Sequence, residues 1–369
     1  MTRTEANPRD LKKHPTHPNW TMPKSWGVWE LPEGSNGKRY RYGNNPAKGA
    51  ELTEKFGRAT RLALYTTRHH AKAHAAELNE VLGEIMTTGQ IQSTDGRSIC
   101  YADYGGETDA PVLWCHGAPG SRLEPQAEES AARSAGIRLI GIDRPGYGAS
   151  DPHNGRSIAD WVSDALEVAD QLNIAKFHIV GVSTGGAYAL ATASIAPDRV
   201  LGVLVCCGMT DMRWGETNAM LTASARVWET QDREHITAVV IEDFGEDGSK
   251  MMEGDDTAEL LAPPDLALFA DPAFANNPAN NEPFANGVMG YVDDRIADGP
   301  TFGWSSFEIG RVNCPVRVIH GEQDRIVPIA HAHHTAEIVP NAMLQTYPQH
   351  GHLSVTAEIV PNLKSMLAK

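Results

Sequence analysis

The chain has 369 residues, 41 % of them hydrophobic and 21 % charged, which is enough apolar material for a large core and excludes a disordered chain. The net charge of −15 is uneven: residues 1–90 carry 14 Lys and Arg against 9 Asp and Glu, whereas residues 91–369 carry 18 against 38. An acidic body argues against nucleic acid as partner, and the polar first twenty residues hold no apolar run of signal-peptide or membrane-span length, so a cytoplasmic protein without membrane contact is expected.

Residues 1–25 read as an extended arm interrupted by Pro8, Pro15, Pro18 and Pro23. Residues 26–87 read as a small α+β unit, with strands at 26–31 and 38–42, a short helix at 50–56, a strand at 60–66 and a helix at 68–83. This basic head is expected to pack on an acidic body, its own or that of a second copy in a homodimer. His70 and His74 lie one helical turn apart but lack the acidic or cysteine companions that a metal site needs. Cys100, Cys115, Cys206, Cys207 and Cys314 have no metal-type spacing and read as buried, reduced thiols.

From residue 88 strands alternate with helices, the pattern of an α/β sheet. A hairpin (91–93 and 98–104) turns at Asp95-Gly96, and strands follow at 111–115, 137–142, from 177, and at 200–207. Helices are expected at 123–135 and 157–173. The second is capped by Ser157 and turns Ile158, Trp161, Leu166, Val168 and Leu172 to the sheet. This is the first part of a core, 88–211. Over 212–300 the alternation stops. Helix-like stretches (219–229, 234–244, 256–261) and loops broken by Pro and Asn between 263 and 283 carry Trp214, Trp228, Phe269, Phe284 and Tyr291. A solvent linker would not hold so many aromatics, so the segment reads as a helical lid. The core resumes over 301–369 with strands at 315–320 and 343–347 and helices at 330–338 and 353–367, the last interrupted at Pro361.

The chemistry concentrates at strand ends. The run Phe177-His-Ile-Val-Gly-Val-Ser-Thr-Gly-Gly passes from β-formers through Gly181-x-Ser183-x-Gly185 into Ala-rich helical sequence, the context in which a serine on a sharp strand–helix turn becomes a nucleophile. A serine hydroxyl needs a base, and the base an orienting acid. Asp324 follows the strand at 315–320 and His352 follows the strand at 343–347, so both are expected at the sheet edge where Ser183 opens. Asp211 is the alternative acid, His350 the alternative base, and Asp143 suggests a structural turn. His331, His333 and His334 read as an exposed helix face. An oxyanion would find backbone N–H donors at Thr184 and, from the loop after 111–115, at Ala118.

Together, His-Gly-Ala-Pro-Gly-Ser (116–121), Asp-Arg-Pro-Gly-Tyr-Gly-Ala-Ser (143–150), Gly-Val-Ser-Thr-Gly-Gly (181–186), His-Gly-Glu-Gln-Asp-Arg-Ile-Val-Pro (320–328) and Gly-His-Leu-Ser (351–354) resemble the motif series of the α/β-hydrolase family over residues 88–369. The resemblance implies a mostly parallel eight-stranded sheet with helices on both faces and a helical lid. It also implies Ser183 as nucleophile, His352 as base, Asp324 as acid, Ala118 and Thr184 as the oxyanion hole, and no cofactor. His116, Gly117, Trp214 and Met289 are expected to meet the substrate. An ester or lactone of a small, largely apolar molecule fits the Trp- and Met-containing lid. The Pro-Gly pair is also similar to proline iminopeptidases, although Thr184 and Ala118 depart from their pattern. Carbon–carbon bond hydrolysis and a ligand-binding protein on the same scaffold are the alternatives.

Overall fold

The computed structural model describes residues 25–30, 40–45, 52, 60–65, 87–106, 109–215, 225–250, 261–270, 274, 280 and 282–368. The extended arm, most of the helix expected at 50–56, and the helix at 68–83 lie outside them, as do most of those at 219–229 and 256–261. Met1–Met86 and Thr87–Lys369 are two compact units. The first contains an antiparallel sheet of β1 (Ser25–Glu30), β2 (Tyr40–Asn45) and β3 (Thr60–Tyr65), ordered β2-β1-β3. Val28 and Trp29 on its central strand are buried.

The second unit is built on β4 (Thr87–Gln92), β5 (Ser98–Tyr104), β6 (Ala110–Cys115), β7 (Ile137–Ile142), β8 (Phe177–Val182), β9 (Val200–Cys206), β10 (Val316–Gly321) and β11 (Ala342–Tyr347). Their order is β11-β10-β9-β8-β6-β7-β5-β4, parallel from β11 through β7 and antiparallel at β5 and β4. Helices cover the sheet: α1 (Glu129–Ser134), α2 (Trp161–Gln171), α3 (Gly185–Ile195), α7 (Ala330–Ile338) and α8 (Ile359–Leu367). Between β9 and β10 the chain inserts α4 (Arg233–Phe244), α5 (Pro263–Phe269) and α6 (Met289–Ala297). Among the described residues no helix is long and apolar enough to cross a membrane.

A parallel sheet covered on both faces demands mostly apolar strands, and all six residues of β7 are buried, Arg138 among them paired with Asp103. Residues 185–194 of α3 are all buried too, so this helix carries no polar stripe and packs against β8 and β9 in the centre of the core. The parallel order also decides where the connecting loops emerge. Those after β6, β8, β9, β10 and β11 leave neighbouring strands at one sheet edge.

Several local expectations change. β4 starts at Thr87 because an edge strand needs only its backbone ladder to β5, not an apolar pattern. Ser157 does not cap α2. Its N–H and hydroxyl both donate to Asp160 Oδ2, at 2.7 and 2.8 Å, and the helix starts at Trp161. The helix expected at 123–135 is a 3₁₀ turn, Glu124–Ala127, followed by α1. Pro263 and Pro264 start α5 rather than break a helix, since the first turn needs no N–H from them. Pro361 likewise sits in the first turn of α8. The helix α6 has no counterpart in the sequence reading.

The turn from β8 into α3 is the tightest backbone approach of the motif. A Cβ at position 185 would lie 2.1 Å from the Cys115 carbonyl oxygen, and one at position 181 would lie 2.3 Å from that of Gly185. Gly185→Ala is expected to cost about 3 kcal/mol and lower Tm by roughly 6–12 °C. Gly310→Ala, where a Cβ meets nothing within 4 Å, is the neutral control in the same thermal melts.

Candidate active site

Ser183 sits between β8 and α3 with φ 51°, the left-handed region that residues other than Gly, Asn and Asp avoid. It is held there from both sides: its N–H donates to Cys206 O at 2.8 Å, and its carbonyl accepts Gly186 N–H at 3.0 Å. The residue keeps only 9 % exposure. Thr184 follows as the N-terminal cap residue of α3, so the unpaired N–H groups and positive end of that helix lie beside the serine.

Asp324 and His352 meet as the spacing predicts. His352 Nδ1 is 2.7 Å from Asp324 Oδ2, while Oδ1 accepts the backbone N–H groups of Ile326 and Val327 at 2.9 and 2.8 Å. His320 Nε2 lies 3.2 Å from the same Oδ2 and 2.7 Å from Val327 O. Burial alone would raise Asp324. The facing His352 and the hydrogen bonds from the two histidines outweigh it and hold the carboxyl well below its ordinary value. Burial likewise opposes a charged His352, but Asp324, with Cys207 adding to it, raises the ring well above 6.5. Cys207, which adds to this rise, stands directly after β9 and is also left-handed at φ 43°. Ser183 Oγ has no hydrogen-bond partner among the described residues. The alternatives go elsewhere: Asp211 pairs with Arg213 at 2.5 Å, Asp143 with Arg122 at 2.7 Å, and His350 faces Glu358 at 3.4 Å.

The His352 loop is fastened by a residue that sequence reading did not single out. Asp265 on α5, wholly buried, accepts the N–H groups of His352, Leu353 and Ser354 at 2.8, 3.0 and 2.9 Å, and the Ser354 hydroxyl at 2.9 Å.

The loop after β6 is equally constrained. His116 is buried and neutral: burial, helped by Arg144, pushes its value well below 6.5. Its Nε2 accepts Arg144 N–H at 3.1 Å, which leaves Nδ1–H to donate to Gly117 O at 2.7 Å. Both ring nitrogens are therefore engaged within the protein. Gly117 N–H donates to Glu124 Oε2 at 2.9 Å, and Trp114 Nε1 to Oε1 at 2.8 Å; burial raises this carboxyl above its ordinary value. Neither Ala118 nor Thr184 N–H has a protein acceptor among the described residues. Of the expected substrate contacts, Trp214 stacks on His334 (4.1 Å between centroids, 4° between planes) and Met289 is 38 % exposed at the start of α6. Of the face expected to be exposed at 331–334, His333 is exposed and His334 half-buried, but His331 is a correction. His331 is buried and accepts Thr210 N–H at 3.2 Å, because α7 packs that side on the loop after β9. All five cysteines are buried and free, as expected.

This sheet order and motif placement define a class, and the comparisons agree. Residues 110–356 match the family model of the alpha/beta hydrolase fold, so the chain belongs to that family. It is 32 % identical over 245 residues to the 2-hydroxymuconate semialdehyde hydrolase of Pseudomonas putida, covering 66 % of this chain and 80 % of the relative. It is 27 % identical over 282 residues to the non-heme chloroperoxidase of Streptomyces lividans, covering 74 % and 96 %. Among solved structures, the enol-lactonase of Burkholderia xenovorans superposes with a TM-score of 0.60 at 17 % identity, over 76 % of this chain and all of the other.

The Asp324–His352 pair stabilises the fold with a defined pH window. Its contribution is full between the ordinary values of 3.8 and 6.5; it fades as pH rises through the raised ring value or falls through the lowered carboxyl value. An NMR titration of His352 is expected to give a midpoint above 6.5 in the wild type. In Asp324→Asn, where burial acts unopposed by that charge, the midpoint should fall below it.

Proposed function

We propose that the protein is a serine hydrolase that cleaves a carboxylic ester or lactone of a small, largely apolar molecule through an acyl-enzyme. The observation that carries this reading is the left-handed Ser183 at a helix N-terminus, one sheet edge shared with a His352–Asp324 pair at 2.7 Å. His352 Nε2 takes the Ser183 proton as Oγ attacks the carbonyl carbon. Asp324, accepting from Nδ1, fixes the ring and stabilises its charged form. The developing oxyanion accepts the Ala118 and Thr184 N–H groups. Collapse expels the alcohol with the proton from His352, and water repeats the sequence to release the acid. Catalytic hydrogen bonds often tighten only with substrate bound, and the Ser183–His352 contact is expected to close then.

Support for an apolar acyl group comes from the aromatic and aliphatic cluster of Tyr147, Ile236, Phe284 and Tyr291, against which Ala118 packs. The reaction so written draws only on these side chains and water. A second reading, a semialdehyde substrate of the kind named for the Pseudomonas putida relative, is favoured by the 32 % identity.

Ser183→Ala is expected to lower p-nitrophenyl acetate turnover about 10⁴-fold or more with the melting temperature retained. Unchanged turnover would contradict the assignment. A panel of short esters, lactones, aminoacyl amides and 2-hydroxymuconate semialdehyde separates the substrate readings. In the wild type, kcat/KM should rise along a limb centred above pH 6.5, because only the neutral ring accepts the proton.

A further inference from the structure

Two consecutive residues of α6, Asp294 and Arg295, reach the two backbone segments that carry the oxyanion donors. Asp294 is wholly buried. It accepts Arg144 Nη2 at 2.7 Å, Arg156 Nη2 at 2.5 Å, and the hydroxyls of Tyr147 and Tyr188, both at 2.8 Å. Its carboxylate stays ionised, since these arginines outweigh the burial that would raise it. Arg144, so anchored, donates to His116 O and, through Nη2, to Gly117 O at 2.7 Å.

That second bond sets a direction. The Gly117–Ala118 peptide is planar and trans, so its carbonyl oxygen and the Ala118 N–H point to opposite sides. Arg144 and His116 pin the oxygen on one side. The N–H is thereby turned to the other, with no freedom to rotate. The Gly117 end of this loop also runs beside the nucleophile: a Cβ at position 117 would lie 3.7 Å from Ser183 Cβ.

Arg295 acts on the other donor. Its Nη2 donates to Thr184 Oγ1 at 2.7 Å and to Asp298 Oδ2 at 2.6 Å. The guanidinium lies over the Tyr291 and Trp228 rings, 4.8 and 5.4 Å from their centroids, and Trp228 Nε1 donates back to Arg295 O at 2.9 Å. Thr184 is the residue whose N–H opens α3. A helix inserted between β9 and β10 thus grips both halves of a hole whose donors come from the loops after β6 and β8.

We propose that Asp294 and Arg295 are positioning residues for the oxyanion hole, Asp294 fixing the Ala118 N–H through Arg144 and Arg295 fixing the Thr184 N–H through its side-chain hydroxyl. The inference rests on the serine-hydrolase reading. It adds that α6 completes the hole rather than only covering it. A misplacement of donors by a fraction of an ångström is felt in the transition state far more than in the Michaelis complex.

The test compares Asp294→Asn, Arg295→Gln and Thr184→Val with Asp293→Asn, a change on the same helix at the residue paired with Arg233. Two quantities are measured: kcat and KM for p-nitrophenyl acetate, and the inhibition constants of an alkyl trifluoromethyl ketone and its methyl ketone parent. The fluorinated ketone adds to Ser183 as an alkoxide that needs the hole, whereas the parent does not. In the first three variants kcat should fall about a hundredfold with KM within about threefold. The trifluoromethyl ketone should weaken in parallel, and the parent ketone should be unaffected. Arg295→Gln and Thr184→Val combined should lose no more than either alone. Asp293→Asn should match the wild type. Should Asp294→Asn fail to fold, Thr184→Val, which removes one hydroxyl and no charge, decides. Folded variants with wild-type kcat, a loss confined to KM, or an equal loss in Asp293→Asn would overturn the proposal. A wild type that neither turns over the ester nor binds the fluorinated ketone would overturn the serine-hydrolase reading with it.

Discussion

The left-handed backbone of Ser183 is the constraint on which the other features depend. A residue with a Cβ at φ 51° costs about 1–2 kcal/mol, and the surroundings must hold it there. They do so with backbone alone. Cys206 O takes the serine N–H, and the absence of side chains at 181 and 185 lets strand, turn and helix close to contact distance. The result is a hydroxyl raised on a bend at the N-terminus of a helix buried from 185 through 194, where it cannot retreat into the strand or the helix.

Charge is the second theme. Burying an ion is unfavourable by several kcal/mol unless partners are close and lone pairs are filled. Near the site these conditions are met repeatedly. Asp294 has two arginines and two phenols, Asp265 three backbone N–H groups and a hydroxyl, and Asp324 two histidines and two backbone N–H groups. Two of these carboxylates belong to the insertion between β9 and β10. Asp265 fastens the loop that carries His352, and Asp294 reaches the loop that carries Ala118. Replacing such groups by apolar ones need not weaken a fold, so their value here lies in fixing direction: each locks a loop whose backbone would otherwise have several orientations. Asp298 is the exception that marks the cost. Arg295 offsets its burial only in part, and its carboxyl is pushed up to about 7.

The core was legible because its signals are local. Strands such as 137–142 and 98–104, the Gly-x-Ser-x-Gly turn, and Asp324 and His352 just past two later strands all fall where periodicity and turn chemistry place them. The insertion was harder to read for a physical reason. The Tyr291-Val-Asp-Asp-Arg-Ile run of α6 reads as polar and mixed, and its Asp294 and Arg295 face inward only because Arg144, Arg156 and Thr184, more than a hundred positions away, receive them. Asp265 follows two prolines that look like a break and are in fact a helix start. Ser157 and Asp160 are both good capping types, and only the folded loop decides that Asp160 accepts from Ser157. His331 looked solvent-facing because its burial is imposed by the loop after β9, not by its own helix pattern.

The most direct measurement is intact-protein mass spectrometry, with peptide mapping, after exposure to an alkyl fluorophosphonate, in the wild type and in His352→Ala. A single phosphonyl adduct on Ser183 in the wild type, formed at a rate that collapses in His352→Ala, is the result expected of a serine made nucleophilic by that ring. Absence of an adduct, an adduct on another residue, or labelling at the same rate without the imidazole would contradict it.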